Sequence, residues 1–116
     1  ARGKAIFFSQ EAGCAACHPP PLFTDSGRRA KDGSYLLHDV GTRATADGGP
    51  QPLDTPSLLG LLRSEPYLHD GRAKSVEEIF SKWNPDDRHG RTSQLTAEEI
   101  EILAVYLRYL AVAPQQ

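Results

Sequence analysis

Apolar residues recur with the period of an amphipathic α-helix in three segments of the chain. They predict helices over residues 1–11, 76–83 and 97–112. The last segment has the clearest apolar stripe, formed by Ile100, Leu103, Ala104, Leu107 and Leu110. A stripe of this width predicts that one face of the helix is buried.

Polar residues at the ends of these segments support the helix boundaries. Ser75 with Glu78, and Thr96 with Glu99, have the spacing of a capping box, in which the two side chains satisfy free backbone N–H groups at a helix start. Pro85 follows the second predicted helix and is expected to stop it.

The stretch between residues 19 and 66 lacks this period and is rich in turn-forming residues. Within it, residues 35–37 predict a short strand and residues 57–62 a short buried helix. The chain has 116 residues, including 10 glycines and 9 prolines. We therefore expect one all-α domain over residues 1–116, with few helices and long ordered loops around something large and rigid.

Charge and hydropathy exclude several classes of protein. The net charge is −2, so there is no basic footprint for nucleic acid. The longest apolar run, residues 102–107, is far shorter than the roughly 20 residues of a membrane span. The chain contains no methionine, so we expect a processed product or an excised domain.

The only two cysteines lie in Cys14-Ala15-Ala16-Cys17-His18, which has the C-x-x-C-H pattern of covalent haem attachment. Each thiol can add across one haem vinyl group, and the adjacent histidine is then held under the ring as an axial ligand. The spacing therefore predicts one haem c, bound through Cys14 and Cys17, with His18 on the iron.

Other uses of the motif remain open at this point. A thioredoxin-like redox pair requires a βαβ context, which is not predicted here. A zinc site requires a further ligand, which His69 or His89 could supply. A disulfide between cysteines three residues apart is possible but strained.

A second axial ligand would have to come from a residue other than methionine. Three further histidines are present, His38, His69 and His89. At most one of them can take the position, so at least two are expected to have ordinary hydrogen-bonding roles.

The chain resembles the C-terminal haem domain of bacterial dihaem cytochrome c peroxidases and MauG-like proteins. Beyond C-x-x-C-H, the resemblance rests on RGKAIF at residues 2–7, LFTD at 22–25, HDVG at 38–41, DTPSL at 54–58, PYLHDG at 66–71, SVEE at 75–78 and LT at 95–96. It covers nearly the whole chain and implies a class I cytochrome c-like fold. In that fold the first and last helices cross, with Gly3, Phe7 and Tyr106 expected at the crossing.

The resemblance also bears on the second axial ligand. In peroxidase relatives a methionine, and in MauG-like relatives a tyrosine, lies at the position of Trp83. An indole nitrogen has no free lone pair, so Trp83 cannot bind iron. His69 belongs to a turn that is also present in those relatives, so we expect it to order the turn or a haem propionate. His89, in the loop after Trp83, is the favoured ligand; His69 and an open iron are the alternatives.

The resemblance implies further haem-pocket residues, Tyr67, His69, Arg72 and Trp83. Arg72 or Lys74 is expected to pair with a haem propionate. The aromatic face of Trp83 could pack against the haem ring.

The leading hypothesis is an electron-transfer domain with one six-coordinate, bis-histidine haem. Its partner would be another redox protein or an adjacent haem or enzyme domain. The alternatives are a peroxidase-like enzyme with an open iron, using Glu65, His69 or Asp70, and one domain of a larger multihaem oxidoreductase. Covalent haem attachment implies a periplasmic or cell-surface location in bacteria.

Overall fold

The computed structural model describes residues 2–41, 52–63, 66–68 and 71–112. Its helices are α1 (Arg2–Phe7), α2 (Cys14–Cys17), a 3₁₀ helix (Leu58–Arg63), α3 (Val76–Ser81) and α4 (Ala97–Val112). The described segments contain isolated antiparallel bridges but no named strand. The strand predicted over residues 35–37 is reduced to one bridge between Tyr35 and Arg29.

Helices α1 and α4 pack closely because Gly3 has no side chain. A Cβ built on Gly3 would lie only 2.6 Å from the Cβ of Tyr106. Phe7, which is buried, packs its ring against that of Tyr106 with the ring centroids 5.6 Å apart. The three residues expected at the helix crossing therefore meet there.

Helix α4 supplies much of the core and begins at the predicted position. Thr96 and Glu99 form a complete capping box, in which each side chain accepts a hydrogen bond from the other residue's backbone N–H. At α3 the Oγ of Ser75 accepts from the N–H of Glu78. The buried apolar core consists of Phe7, Phe23, Leu61, Tyr67, Ala73, Val76, Ile79, Leu103, Ala104, Leu107 and Leu110.

Two helices end earlier than the sequence predicted. Helix α1 ends at Phe7 rather than at residue 11 because the hydroxyl of Ser9 forms hydrogen bonds with nearby backbone groups. It donates to the carbonyl of Ile6 and accepts from the N–H of Ala12, which replaces a helical turn with a tight loop. Helix α3 ends at Ser81 rather than at residue 83. The predicted helix over residues 57–62 forms as the 3₁₀ helix.

None of the helices described here has both the length and the apolar character needed to cross a lipid bilayer.

Candidate functional site

The two cysteines lie on one short helical turn. Gly13 precedes it with a φ of 74°, a left-handed conformation that glycine adopts without steric cost and that starts α2 immediately at Cys14. Residues three apart on a helix face the same side, so both thiols project from one surface of the turn. Neither thiol forms a disulfide.

Burial raises the pKa of the Cys14 thiol to about 11 and also raises that of Cys17. Both groups are therefore protonated thiols at neutral pH. A thioredoxin-like pair depends on a cysteine whose pKa is lowered, so the environment of these thiols does not favour that chemistry.

His18 follows α2 with its ring orientation already fixed. Its Nδ1 lies 2.9 Å from the carbonyl oxygen of Phe23, to which it donates as the Nδ1–H tautomer. Burial lowers the pKa of His18, so the ring is neutral at pH 7. A neutral imidazole whose Nδ1–H is held by a carbonyl presents the Nε2 lone pair to a metal, as histidine ligands usually do.

His89 is a second, partly buried imidazole in the candidate site. Burial, together with the nearby charge of His18 when both are protonated, lowers the pKa of His89 to about 4. Its Nδ1 is buried and has no hydrogen-bond partner. His89 therefore lies close enough to His18 for the two rings to interact electrostatically.

His38 also lies near the attachment motif, and its ring is hydrogen-bonded to another side chain. Its Nε2 is 2.6 Å from Oδ2 of Asp25, a carboxylate that is almost completely buried. Although burial raises the pKa of Asp25, hydrogen bonds from Thr55 and His38 outweigh it and hold that pKa below its usual value. His38 thus has the ordinary hydrogen-bonding role expected of at least two of the histidines.

The pair of Asp25 and His38 is a feature that the sequence reasoning missed. Both residues lie in motifs noted above, at residues 22–25 and 38–41, but nothing in either motif indicates that they meet. The ligand atoms of Cys17, Asp25 and His38 lie within 4.8 Å of one another. This group includes only one of the two cysteines and neither of the histidines considered for zinc, and a closed zinc site takes four ligands.

Trp83 and Arg72, two of the predicted pocket residues, contact each other. The guanidinium carbon of Arg72 is 5.2 Å from the centroid of the Trp83 ring, and Nζ of Lys82 is 5.1 Å from it. Nε1 of Trp83 is buried without a hydrogen-bond partner. The indole is therefore held by cations on its π-system while its N–H is left for another acceptor.

Tyr67 is buried in the core and pairs with Ala73 through two backbone hydrogen bonds. His69, along with Glu65 and Asp70 of the peroxidase alternative, lies outside the described residues.

The residues present fit a haem. Two of the three buried side-chain atoms without partners in the described part of the chain, Trp83 Nε1 and His89 Nδ1, belong to residues predicted to contact it. His18 and His89 supply nitrogen ligands, the two thiols supply attachment points, and Nε1 of Trp83 supplies a hydrogen-bond donor.

No family model matches the chain. Over 94 residues it is 34% identical to the methylamine utilization protein MauG of Methylorubrum extorquens, a match that covers 71% of this chain and 24% of MauG. Over 58 residues it is 41% identical to hydrazine synthase subunit gamma of Kuenenia stuttgartiensis, covering 49% of this chain and 16% of the subunit. The chain thus spans about a quarter or less of the length of these relatives.

Solved structures have the same fold. A chain of the Kuenenia stuttgartiensis hydrazine synthase superposes with a TM-score of 0.73 at 28% identity, over 92% of this chain and 44% of that one. A MauG-like protein associated with microbial copper homeostasis superposes with a TM-score of 0.67 over 98% of this chain and 45% of that one. At 22% identity, this second likeness concerns the fold alone.

Proposed function

Since this chain belongs to the MauG-like cytochrome c peroxidase family, we propose that it is an electron-transfer domain with one covalently bound haem c. Cys14 and Cys17 attach the haem, and His18 and His89 are its axial ligands. The observation that carries the proposal is His18 directly after the attachment motif, with its Nδ1 hydrogen-bonded to the carbonyl of Phe23, and a second partly buried histidine, His89, close enough to interact with it electrostatically.

The attachment chemistry suits the two thiols. Each S–H adds across a vinyl C=C bond, so the sulfur bonds to one carbon, the proton goes to the other, and no oxidant is consumed. Helix α2 presents both sulfurs from one turn. The carbonyl of Phe23 holds the His18 ring in the tautomer whose Nε2 can bind iron.

Coordination by two histidines favours electron transfer over peroxide chemistry. When bound, the haem supplies a one-electron Fe(III)/Fe(II) couple. With His18 and His89 both bound, the iron would have no position left for a substrate. Burial of both imidazoles keeps them neutral, so protons do not compete for their ligating nitrogens at pH 7.

The domain would exchange electrons with another redox protein or with an adjacent haem or enzyme domain. Its relatives are several times longer than this chain, which supports a role beside other domains. Because covalent haem attachment takes place outside the bacterial cytoplasm, we place the domain in the periplasm or at the cell surface.

The test is the ferric absorption spectrum with low-temperature EPR on the haem-loaded chain. We expect low-spin signals of the bis-histidine type, and a high-spin signal in His89→Ala. His38→Gln is the matched control, because its ring is bonded to Asp25, and it should stay low-spin. A high-spin wild-type spectrum, or an unchanged spectrum in His89→Ala, would overturn the axial assignment.

The covalent attachment has a separate test. In the double variant Cys14→Ala, Cys17→Ala, we expect no haem to remain attached to the chain after denaturation and acid extraction. Zinc in place of haem by metal analysis of the wild-type chain would remove the proposal altogether.

A further inference from the structure

The side chain of Asn84 is bonded to the backbone on both sides of His89. Its Oδ1 accepts a hydrogen bond from the N–H of His89 at 2.8 Å. Its Nδ2 lies 3.1 Å from the carbonyl oxygen of His89 and 2.8 Å from that of Gly90. One amide group therefore fixes both peptide units that flank the Cα of His89.

Asn84 is itself well placed to act as a fixed point. It is 5% exposed, and its Nδ2 also lies 2.8 Å from Oγ1 of Thr92, which is buried as well. Since Nδ2 has two hydrogens for three acceptors, it shares them among His89, Gly90 and Thr92. A buried amide with all its donors used holds a single orientation.

The loop around His89 needs such a support because it has no helical or strand hydrogen bonds of its own. It contains two left-handed residues, Asp87 at a φ of 54° and Gly90 at 77°. Without fixed hydrogen-bond partners, a loop of this kind would adopt several conformations, because holding its backbone in one conformation costs entropy. Hydrogen bonds from the side chain of Asn84 take the place of the missing backbone hydrogen bonds.

The same loop is also tied to the segment that carries the attachment cysteines. The N–H of Arg91 donates to the carbonyl of Ala12 at 2.9 Å, two residues before Cys14. A Cβ on Gly90 would lie 2.9 Å from that carbonyl oxygen, so the two backbones touch. His89 is thus placed relative to α2, and not only relative to its own loop.

We propose that Asn84 is a positioning residue that holds His89 at the sixth coordination position of the haem iron. The proposal rests on the function proposed above. Asn84 acts through His89 by fixing the backbone from which the His89 ring projects. Its loss should let the imidazole leave the iron more often, while His18 and both thioether bonds stay in place.

The test measures how readily an external ligand replaces His89. Haem-loaded wild type, Asn84→Ala and Asn84→Asp are dialysed against radiolabelled imidazole in the ferric state, and the imidazole bound per haem is measured, because the product with imidazole in place of His89 is also low-spin. We expect Asn84→Ala to bind imidazole about tenfold more tightly than wild type, because several hydrogen bonds to the ligand loop are lost. Asn84→Asp keeps the acceptor for the His89 N–H and loses donors, so it should lie between the two; it also serves if Asn84→Ala fails to fold.

Asp87→Asn is the matched control. Asp87 lies in the same loop and accepts from the N–H groups of Thr92 and Ser93, but it has no bond to His89. It should lower the melting temperature and leave imidazole affinity within about twofold of wild type.

The outcomes separate the two proposals. If the Asn84 variants lose stability as Asp87→Asn does and bind imidazole like wild type, Asn84 is merely structural and the positioning role is wrong. If His89→Ala leaves the wild-type EPR spectrum unchanged, His89 is not the ligand and both proposals fail. If His89→Ala becomes high-spin while the Asn84 variants do not change, only the positioning role fails.

Discussion

Gly3 and Tyr106 are in direct contact where α1 crosses α4. A Cβ at Gly3 would lie 2.6 Å from the Cβ of Tyr106 and 2.7 Å from the carbonyl oxygen of Ile102. Both are closer than real Cβ contacts, and one of the two neighbours is backbone that cannot rotate away. The crossing therefore depends on the absence of a side chain at this position.

Gly3→Ala should consequently destabilise the protein. Alanine favours a helix over glycine by about 1 kcal/mol, but forcing the two helices apart costs about 1–3 kcal/mol. We expect a net loss of free energy of unfolding of up to about 2 kcal/mol, measured by denaturant titration of the haem-loaded chain. Gly60→Ala is the control, since nothing lies within 4 Å of its new Cβ. A Gly3→Ala protein as stable as wild type would show that the helices can separate freely.

Sequence reasoning was most successful where the signal is local. The boundaries of α4 follow from a capping box and an apolar stripe within one segment, and the structure has them at Ala97 and Val112. The Cys14 to His18 motif is likewise contiguous. The end of α1 was not predicted because it depends on a single side-chain hydrogen bond, which the hydroxyl of Ser9 donates to the carbonyl of Ile6.

Other parts of the site depend on contacts between distant segments. Asn84 precedes Pro85 and so looks like an ordinary turn residue in the sequence. Its role is visible only once its amide is seen to hold the backbone of His89. The pairing of Asp25 with His38 is similar, because neither residue's neighbours indicate the other.

A pair joining α3 to α4 should make stability depend on pH. Nη2 of Arg108 is 2.6 Å from Oε1 of Glu77, and this hydrogen bond holds the pKa of Glu77 below its ordinary value of 4.5. A lowered carboxyl pKa stabilises the folded state above pH 4.5, and that contribution is lost as the pH falls through the folded-state pKa. Both side chains are more than a third exposed, so the effect is small.

Glu77→Gln should therefore lower the free energy of unfolding by about 0.2–1 kcal/mol at pH 7. The difference from wild type should shrink as the pH is lowered below 4.5. Urea titrations at a series of pH values measure it. Glu98→Gln is the control, because Glu98 is mostly exposed and lies 3.6 Å from Arg2. A gap between wild type and Glu77→Gln that stays constant with pH would contradict the assignment.

The unpaired indole N–H of Trp83 predicts an effect on the haem rather than on folding. Trp83→Phe keeps an aromatic ring for Arg72 and Lys82 and removes only the buried donor at Nε1. If that N–H donates to a haem propionate, its loss leaves more negative charge near the iron and stabilises the ferric state. We therefore expect a lower reduction potential by spectroelectrochemistry with covalent haem content unchanged. Tyr109→Phe, on the exposed face of α4, should leave the potential at the wild-type value. An unaltered potential in Trp83→Phe would mean that Trp83 contributes packing alone.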